Sequence, residues 1–226
     1  MWIKICANTT LEDAQLAAKL GADAVGFVLA PSARRVTAAE VALITPHLGN
    51  TVERVGVFPS LEAAEIAEAA EEAGLNVVQL HGGVDLTLLR QLHRIFDGRV
   101  KLIQTVHWQV DADSSGEAVS RQLRAISAEG VADRVLIDSK LGAATGGTGT
   151  SFNWEVARSA LANAVQGLKL IVAGGLRDTN VADAIQRLNP WGVDVASGVE
   201  SRPGKKSLEK LAAFIRAVRG VSASAL

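Results

Sequence analysis

Cysteine is nearly absent from this chain: among 226 residues only Cys6 carries a thiol, which excludes an internal disulfide and a cysteine-built metal centre and fits a reducing compartment. Long apolar runs are absent too. No stretch approaches the roughly 18 residues that a membrane-crossing helix needs. No leader precedes the first strand, because Lys4 and Cys6 already lie in it, so the expectation is a cytoplasmic protein with no membrane partner. Charge of one sign is also missing. The formal net charge is -1 and the longest basic run is Lys205-Lys206, which excludes a protein that binds nucleic acid by neutralising its phosphates. No linker or low-complexity segment divides the chain, so residues 1–226 read as one domain. With 48% hydrophobic and 21% charged residues the chain has material for a core and a solvated surface, and small-molecule chemistry becomes the default.

Short β-rich runs alternate with alanine-rich, helix-period stretches from end to end, the pattern of parallel strands joined by crossover helices. Eight strands are expected: Trp2 to Cys6, Ala24 to Leu29, Val52 to Phe58, Val77 to Leu80, Val100 to Thr105, Arg134 to Asp138, Leu168 to Ala173 and Gly192 to Ala196. The first helix is expected to be capped by Thr9, with Glu12 reaching back, and to stop at Gly21. Gly21-Ala22-Asp23-Ala24-Val25 is echoed by Gly74-Leu75-Asn76-Val77-Val78 and loosely by Gly130 to Val135. Such loops also occur in open α/β sheets, but eight units of roughly 28 residues account for the whole length, which favours a closed, parallel (β/α)8 TIM barrel of α/β class.

Side chains two apart on a strand share a face. Ile3 and Ile5 are therefore expected to face the helices and Trp2, Lys4 and Cys6 the barrel interior; Val135 and Ile137 face outward, Leu136 and Asp138 inward. Closure would bring Lys4 on the first strand beside Asp194 on the eighth, which predicts an interior ion pair of structural purpose.

Catalytic groups of such barrels stand at the C-terminal strand ends. Cys6 and Asp138 end the first and sixth strands, across one mouth from each other, where a thiolate of lowered pKa could act as base and a desolvated carboxylic acid as acid. Position alone allows a small buried hydrophobe and a loop cap instead. Gly174 and Gly175 after the seventh strand, and Ser197 and Gly198 after the eighth, offer bare backbone N–H groups to a phosphate dianion. Gly146, Gly147, Thr148 and Gly149 lie in a long segment, Ser139 to Phe152, that could close as a lid. Arg34 or Arg35 could fork onto a substrate carboxylate. His81, ending the fourth strand, either faces a ligand or is a satisfied core group. His47, His93 and His107 show no metal-ligand spacing, and no metal site is expected; Trp108 and Trp154 read as packing residues.

Taken in order, these motifs resemble the phosphoribosylanthranilate isomerase family over essentially the whole chain. Lys4-Ile5-Cys6, Val55-Gly56-Val57-Phe58 and Gln79-Leu80-His81-Gly82 look like its first, third and fourth strands. Asp138, Gly146-Gly147-Thr148-Gly149 and Phe152-Asn153-Trp154 look like its sixth strand and lid. Gly174-Gly175-Leu176, Val193-Asp194-Val195, Ser197-Gly198-Val199-Glu200 and Pro203-Gly204-Lys205-Lys206 complete the match. The resemblance implies an Amadori rearrangement of N-(5-phosphoribosyl)anthranilate to 1-(2-carboxyphenylamino)-1-deoxy-D-ribulose 5-phosphate in tryptophan biosynthesis, with no metal or organic cofactor. It also implies Asp138 as acid, Cys6 as base, Arg34 on the anthranilate carboxylate and His81 against the substrate. Gly174, Gly175, Ser197 and Gly198 would hold the phosphate of this small phosphorylated sugar, in a monomer or homodimer.

Three departures stand out. The family usually follows its cysteine with Gly-Ile-Thr, where this chain has Ala7-Asn8-Thr9; Asn8 either bonds near the thiolate or caps the next helix. Position 33 is Ala where proline is common, and Thr150-Ser151-Phe152-Asn153-Trp154 replaces Lys-Thr-Phe-Asp-Trp. An indole-glycerol-phosphate synthase, a histidine-pathway isomerase and a non-catalytic sugar-phosphate binder are the competing readings, since a fold alone does not select a chemistry. The pairing of Cys6 with Asp138 disfavours the two enzymes, and retention of all the candidate groups disfavours the binder.

Overall fold

A computed structural model of the chain describes residues 1–109, 115–132, 134–140, 153–162, 164 and 167–223. Eight parallel strands close on themselves in sequence order: β1 (Trp2–Ile5), β2 (Ala24–Val28), β3 (Glu53–Phe58), β4 (Val77–Leu80), β5 (Lys101–Gln109), β6 (Arg134–Lys140), β7 (Lys169–Val172) and β8 (Gly192–Val195). Around them run α1 (Leu11–Lys19), α2 (Ala38–Ala42), α3 (Ala63–Glu72), α4 (Leu86–Phe96), α5 (Ser115–Glu129), α6 (Trp154–Ala162), α7 (Val181–Leu188) and α8 (Leu208–Ala223). A small antiparallel ribbon, β9 (Glu200–Arg202) with β10 (Lys205–Lys206), intervenes between β8 and α8 and has no counterpart in the expectation.

Strand boundaries fall within one residue of those read from sequence, except that β5 and β6 run on toward the rim. These two support each other, pairing in register from Ile103 with Arg134 to Gln109 with Lys140. The cap of α1 also differs: the Thr10 hydroxyl, not that of Thr9, accepts from Asp13 N, while Thr9 Oγ1 donates to the Gly204 carbonyl at 2.6 Å. Thr9 is thus drawn to the ribbon, a contact 195 residues distant that no local pattern encodes. Gly21 ends the unit as expected, with φ at +101°, a value only glycine adopts without strain.

Two apolar layers confirm the strand parity. Ile3, Ile5, Val135 and Ile137 pack outward against the helices with residues such as Phe27, Leu89 and Phe214. Trp2, Ala24, Val55, Val77, Ile103, Leu136 and Ile171 fill the interior. Burying each large side chain contributes roughly 1.5–3 kcal/mol, so the two layers drive closure. Arg134 seals the lower end: its guanidinium lies over Trp2 and Trp191, 5.4 and 4.8 Å from the ring centres, and pairs with Glu53 at 2.6 Å. Among the described residues no helix is long and apolar enough to cross a membrane.

At the closing seam Lys4 stands in register with Asp194, and its fully buried Nζ donates to Asp194 Oδ2 at 3.0 Å and to Gln79 Oε1 at 2.8 Å. Removing one partner of a buried pair strands the other charge. Lys4→Met is therefore expected to lower unfolding free energy by about 3–5 kcal/mol in urea titration, with the double variant Lys4→Met/Asp194→Asn recovering at least half. A loss below about 1 kcal/mol would show that the pair does not hold the seam.

Candidate active site

The C-terminal ends of the strands surround one cavity, lined among others by Cys6, Arg34, Gln79, His81, Asp138, Gly174, Gly175, Asp194 and Ser197. Cys6 follows directly on β1, held by its backbone N–H to the Val195 carbonyl at 2.8 Å, and Asp138 stands on β6 across the mouth. Both are buried. Burial, followed by the like charge of Asp194, raises the Asp138 carboxyl from 3.8 to about 7; Lys4 opposes this without cancelling it. Asp138 can therefore carry a proton near neutrality, as a general acid must.

The thiol behaves differently from the expected lowered value. Burial pushes Cys6 upward; Lys4 pulls it down, Asp194 pushes it up again, and Lys206 helps to lower it, with the net direction upward. Lys4 remains charged despite burial, because Asp194 and Cys6 outweigh the desolvation.

Arg34, rather than Arg35, lines the cavity. Its Nε donates to both Glu200 oxygens at 3.0 Å and its Nη2 to Glu200 Oε2 at 2.8 Å, so one edge of the fork is already held by the protein. His81 faces the mouth: its Nε2 is 3.9 Å from Asp138 Oδ2, and its ring meets that of His107 edge to face at 4.8 Å. The glycine loop after β7 lines the cavity with Gly174 and Gly175 at φ of +87° and +64°. A Cβ on Gly174 would collide with Ser139, so the turn demands glycine twice over. Ser197 lines the cavity, whereas Gly198 packs beneath it, where a Cβ would strike the Leu176 carbonyl. Neither loop leads directly into an α-helix: α7 begins at Val181, and Ser197–Val199 form a single 3-10 turn. Gly146, Gly147, Thr148 and Gly149 lie outside the described residues.

Ala7 and Asn8 have a structural account. Ala7 sits at φ +60°, the left-handed region that favours glycine, and is fully packed. Asn8 does not cap the next helix, whose cap is Thr10; it bonds close to the thiol instead. Its amide donates to the carbonyls of Ile5 (2.8 Å) and Gly26 (3.2 Å), bracing β1 against β2 beneath the thiol. Asn153 Oδ1 accepts from Glu155 N at 3.0 Å and caps α6, the service an aspartate would give. Trp108 is a buried packing residue, and Trp154 is half-buried against the same core.

Sequence reading missed four groups. Asp194 lines the cavity, and its Oδ1 is buried with no hydrogen-bond partner among the described residues. Glu200 and Lys206 are buried behind Arg34 and Cys6. His107 comes level with Asp138 because β5 runs on past Thr105; extending the period-2 alternation of that strand was the available signal. His81, His107 and Asp138 offer ligand atoms within 4.8 Å of one another, close enough to hold a metal ion, although His107 Nε2 is engaged at 2.9 Å with the His81 carbonyl and must be its donor.

The geometry gathers a raised carboxyl, a thiol, a half-held guanidinium and two glycine-bearing loops around one mouth. The chain is similar to known proteins over nearly its whole length. A family model described as N-(5'-phosphoribosyl)anthranilate (PRA) isomerase matches residues 3–217. An N-(5'-phosphoribosyl)anthranilate isomerase from Pelobacter propionicus is 38% identical over 215 residues, 95% of this chain and 93% of the relative. The crystal structure of phosphoribosyl anthranilate isomerase from Thermotoga maritima superposes with a TM-score of 0.83 at 34% identity, covering 97% of this chain and 99% of that one. Another, in complex with reduced 1-(o-carboxyphenylamino)-1-deoxyribulose 5-phosphate, gives 0.79 at 32% identity, with the same coverage.

The raised Asp138 carboxyl has a consequence for stability. Between about pH 4 and 7 the folded protein holds a proton that the unfolded chain has lost, so this residue's contribution to stability falls as pH rises through that window. Asp138→Asn removes the penalty and is expected to be more stable than the parent at pH 8, by at most ~4 kcal/mol, with the gap closing toward pH 4. Equal melting temperatures across that range would show that Asp138 is not held in a desolvated site.

Proposed function

The chain belongs to the N-(5'-phosphoribosyl)anthranilate isomerase family, and from that membership we propose how residues 1–226, as one catalytic domain, carry out the rearrangement of phosphoribosylanthranilate in tryptophan biosynthesis. The observation that supports the assignment of roles is the facing pair at the mouth: an acid that still holds its proton near pH 7 and the chain's only thiol. Asp138 gives its proton to the furanose ring oxygen as the C1–O bond breaks, opening the sugar to a Schiff base. The Cys6 thiolate then takes the proton from C2, and the electron pair of that C–H bond neutralises the iminium as an enolamine. Tautomerisation moves the enol proton to C1 and leaves the ketone. One proton has left Asp138 and one has arrived at Cys6, so the isomer is released with no net exchange, and the enzyme resets by returning a proton between the two. Acid–base catalysis suffices and calls for no metal or organic cofactor.

Arg34 receives the anthranilate carboxylate through the edge that Glu200 leaves open, and His81 borders the sugar beside the acid. Gly174, Gly175 and Ser197 take the phosphate through backbone N–H groups, with Gly198 allowing the Leu176 carbonyl its close approach. The small net charge suits a cytoplasmic enzyme of small-molecule metabolism.

Acceleration of anthranilate-fluorescence decay, with phosphoribosylanthranilate generated in situ, tests the reaction. Cys6→Ser and Asp138→Asn are each expected to lose about 10²–10⁴-fold in kcat. Near-full activity in either variant counts against its role, and no acceleration by the parent protein defeats the reading.

The pH profile has an unusual expected shape. The reactive combination, Asp138 protonated and Cys6 ionised, inverts the order in which the two groups titrate, so only a minor fraction of the free enzyme holds it. Consequently kcat/KM should rise with pH to a knee near 7, where Asp138 titrates, stay level, and fall only where the thiol ionises. A fall beginning at pH 7 would contradict the assignment of protons.

A further inference from the structure

Glu200 and Lys206, both on the unforeseen ribbon, are buried titratable side chains that take no part in the proton transfers. Their contacts reach both ends of the substrate site. The Glu200 carboxylate accepts the Arg34 fork, the Gly204 N–H at 3.3 Å, and Lys206 Nζ at 3.3 Å. Lys206 Nζ donates in turn to the carbonyl oxygen of Cys6 itself, and its backbone N–H is fixed by Asp13 Oδ2 at 3.1 Å. One carboxylate therefore grips the cation that faces the ligand and the cation that stands behind the thiol.

We propose that Glu200 is a positioning residue that couples the two functions of the site, presenting the open edge of Arg34 to an aryl carboxylate and pinning the Lys206 ammonium against Cys6 so that the thiolate forms. This rests on the catalytic reading above and extends it. Among the described residues the charged groups around the thiol are Lys4 on its own strand, Asp194 on β8, Asp138 across the mouth on β6, Lys206 on the ribbon and Arg34 after β2; Gly26 of β2 brings none. Of the cations, Lys4 acts most strongly on the thiol but divides itself between Cys6 and Asp194, Arg34 is held by Glu200, and Lys206 adds a smaller pull from the ribbon. Lys206 depends on Glu200 for its charge, because burial pulls it below the ordinary lysine value and Glu200 is the foremost influence opposing that. Without the carboxylate, a buried ammonium sheds its proton or leaves its place.

Because Cys6 is the only cysteine, its alkylation by iodoacetamide reads this thiol alone and needs no turnover. In Glu200→Gln, alkylation at pH 7 is expected to slow about threefold or more, and affinity for reduced 1-(o-carboxyphenylamino)-1-deoxyribulose 5-phosphate to fall about tenfold. Lys206→Met should slow alkylation while leaving that affinity within about twofold, and Glu200→Asp, which keeps the charge, should restore part of both effects. Thermal melts confirm that each variant is folded; should Glu200→Gln unfold, Glu200→Asp and Lys206→Met still separate the two arms. A folded Glu200→Gln that matches the parent in either readout overturns the coupling, as does a Lys206→Met alkylated at the parental rate. A parent that fails to isomerise phosphoribosylanthranilate defeats the proposed reaction instead and leaves the alkylation result valid.

Discussion

The Lys4 ammonium lies in the barrel interior, against Asp194 on the neighbouring strand and Gln79 on β4. A charge so placed can exist only where both partners are supplied by the fold, since an unpaired buried ammonium would shed its proton. The pair forms across the seam where β1 meets β8, in register, so closure of the barrel and neutralisation of the charge are one event. The same two charges act on both the Cys6 thiol and the Asp138 carboxyl. Asp194 raises both groups and Lys4 lowers both. A feature that reads as structural from the sequence is thus also the electrostatic floor of the site.

That floor bears on why the Asp138 carboxyl and the Cys6 thiol are both pushed upward. Burial favours the neutral form of each, and the ion pair beneath them is close to neutral as a whole, so it offers limited relief. Lys4 supplies most of the relief for the thiolate, and the ribbon between β8 and α8 adds a further cation. Its lysine touches the backbone of Cys6, and its glutamate holds Arg34. The elements around the mouth therefore act as one charged network, in which each side chain is kept in place by a partner on a different strand or loop.

Local strain fits the same picture. Ala7 takes up a left-handed backbone next to Cys6 without the freedom of glycine, and Asn8 holds it there by bonding to β1 and β2 at once. A left-handed alanine costs of order 1–3 kcal/mol, and the surrounding structure has to hold it in place.

Much of this was legible without coordinates. Alternation of period 2 with period 3.6 marked all eight strands, glycine stops marked the turns into them, and strand parity sorted Ile3 and Ile5 from Trp2, Lys4 and Cys6. Cys6, Asp138 and the paired glycines stood out because catalytic and phosphate-holding groups occupy strand ends, which sequence can locate. The reach of β5 was available in its alternation but went unread, whereas the cap of α1, the ribbon, and the partners of Arg34 and Cys6 were not legible. These depend on residues up to 200 positions apart meeting at one point, as when Lys206 reaches Cys6. Periodicity reports which face of an element a side chain occupies. Which other faces it meets, and so what charge it carries, is decided only when the barrel closes.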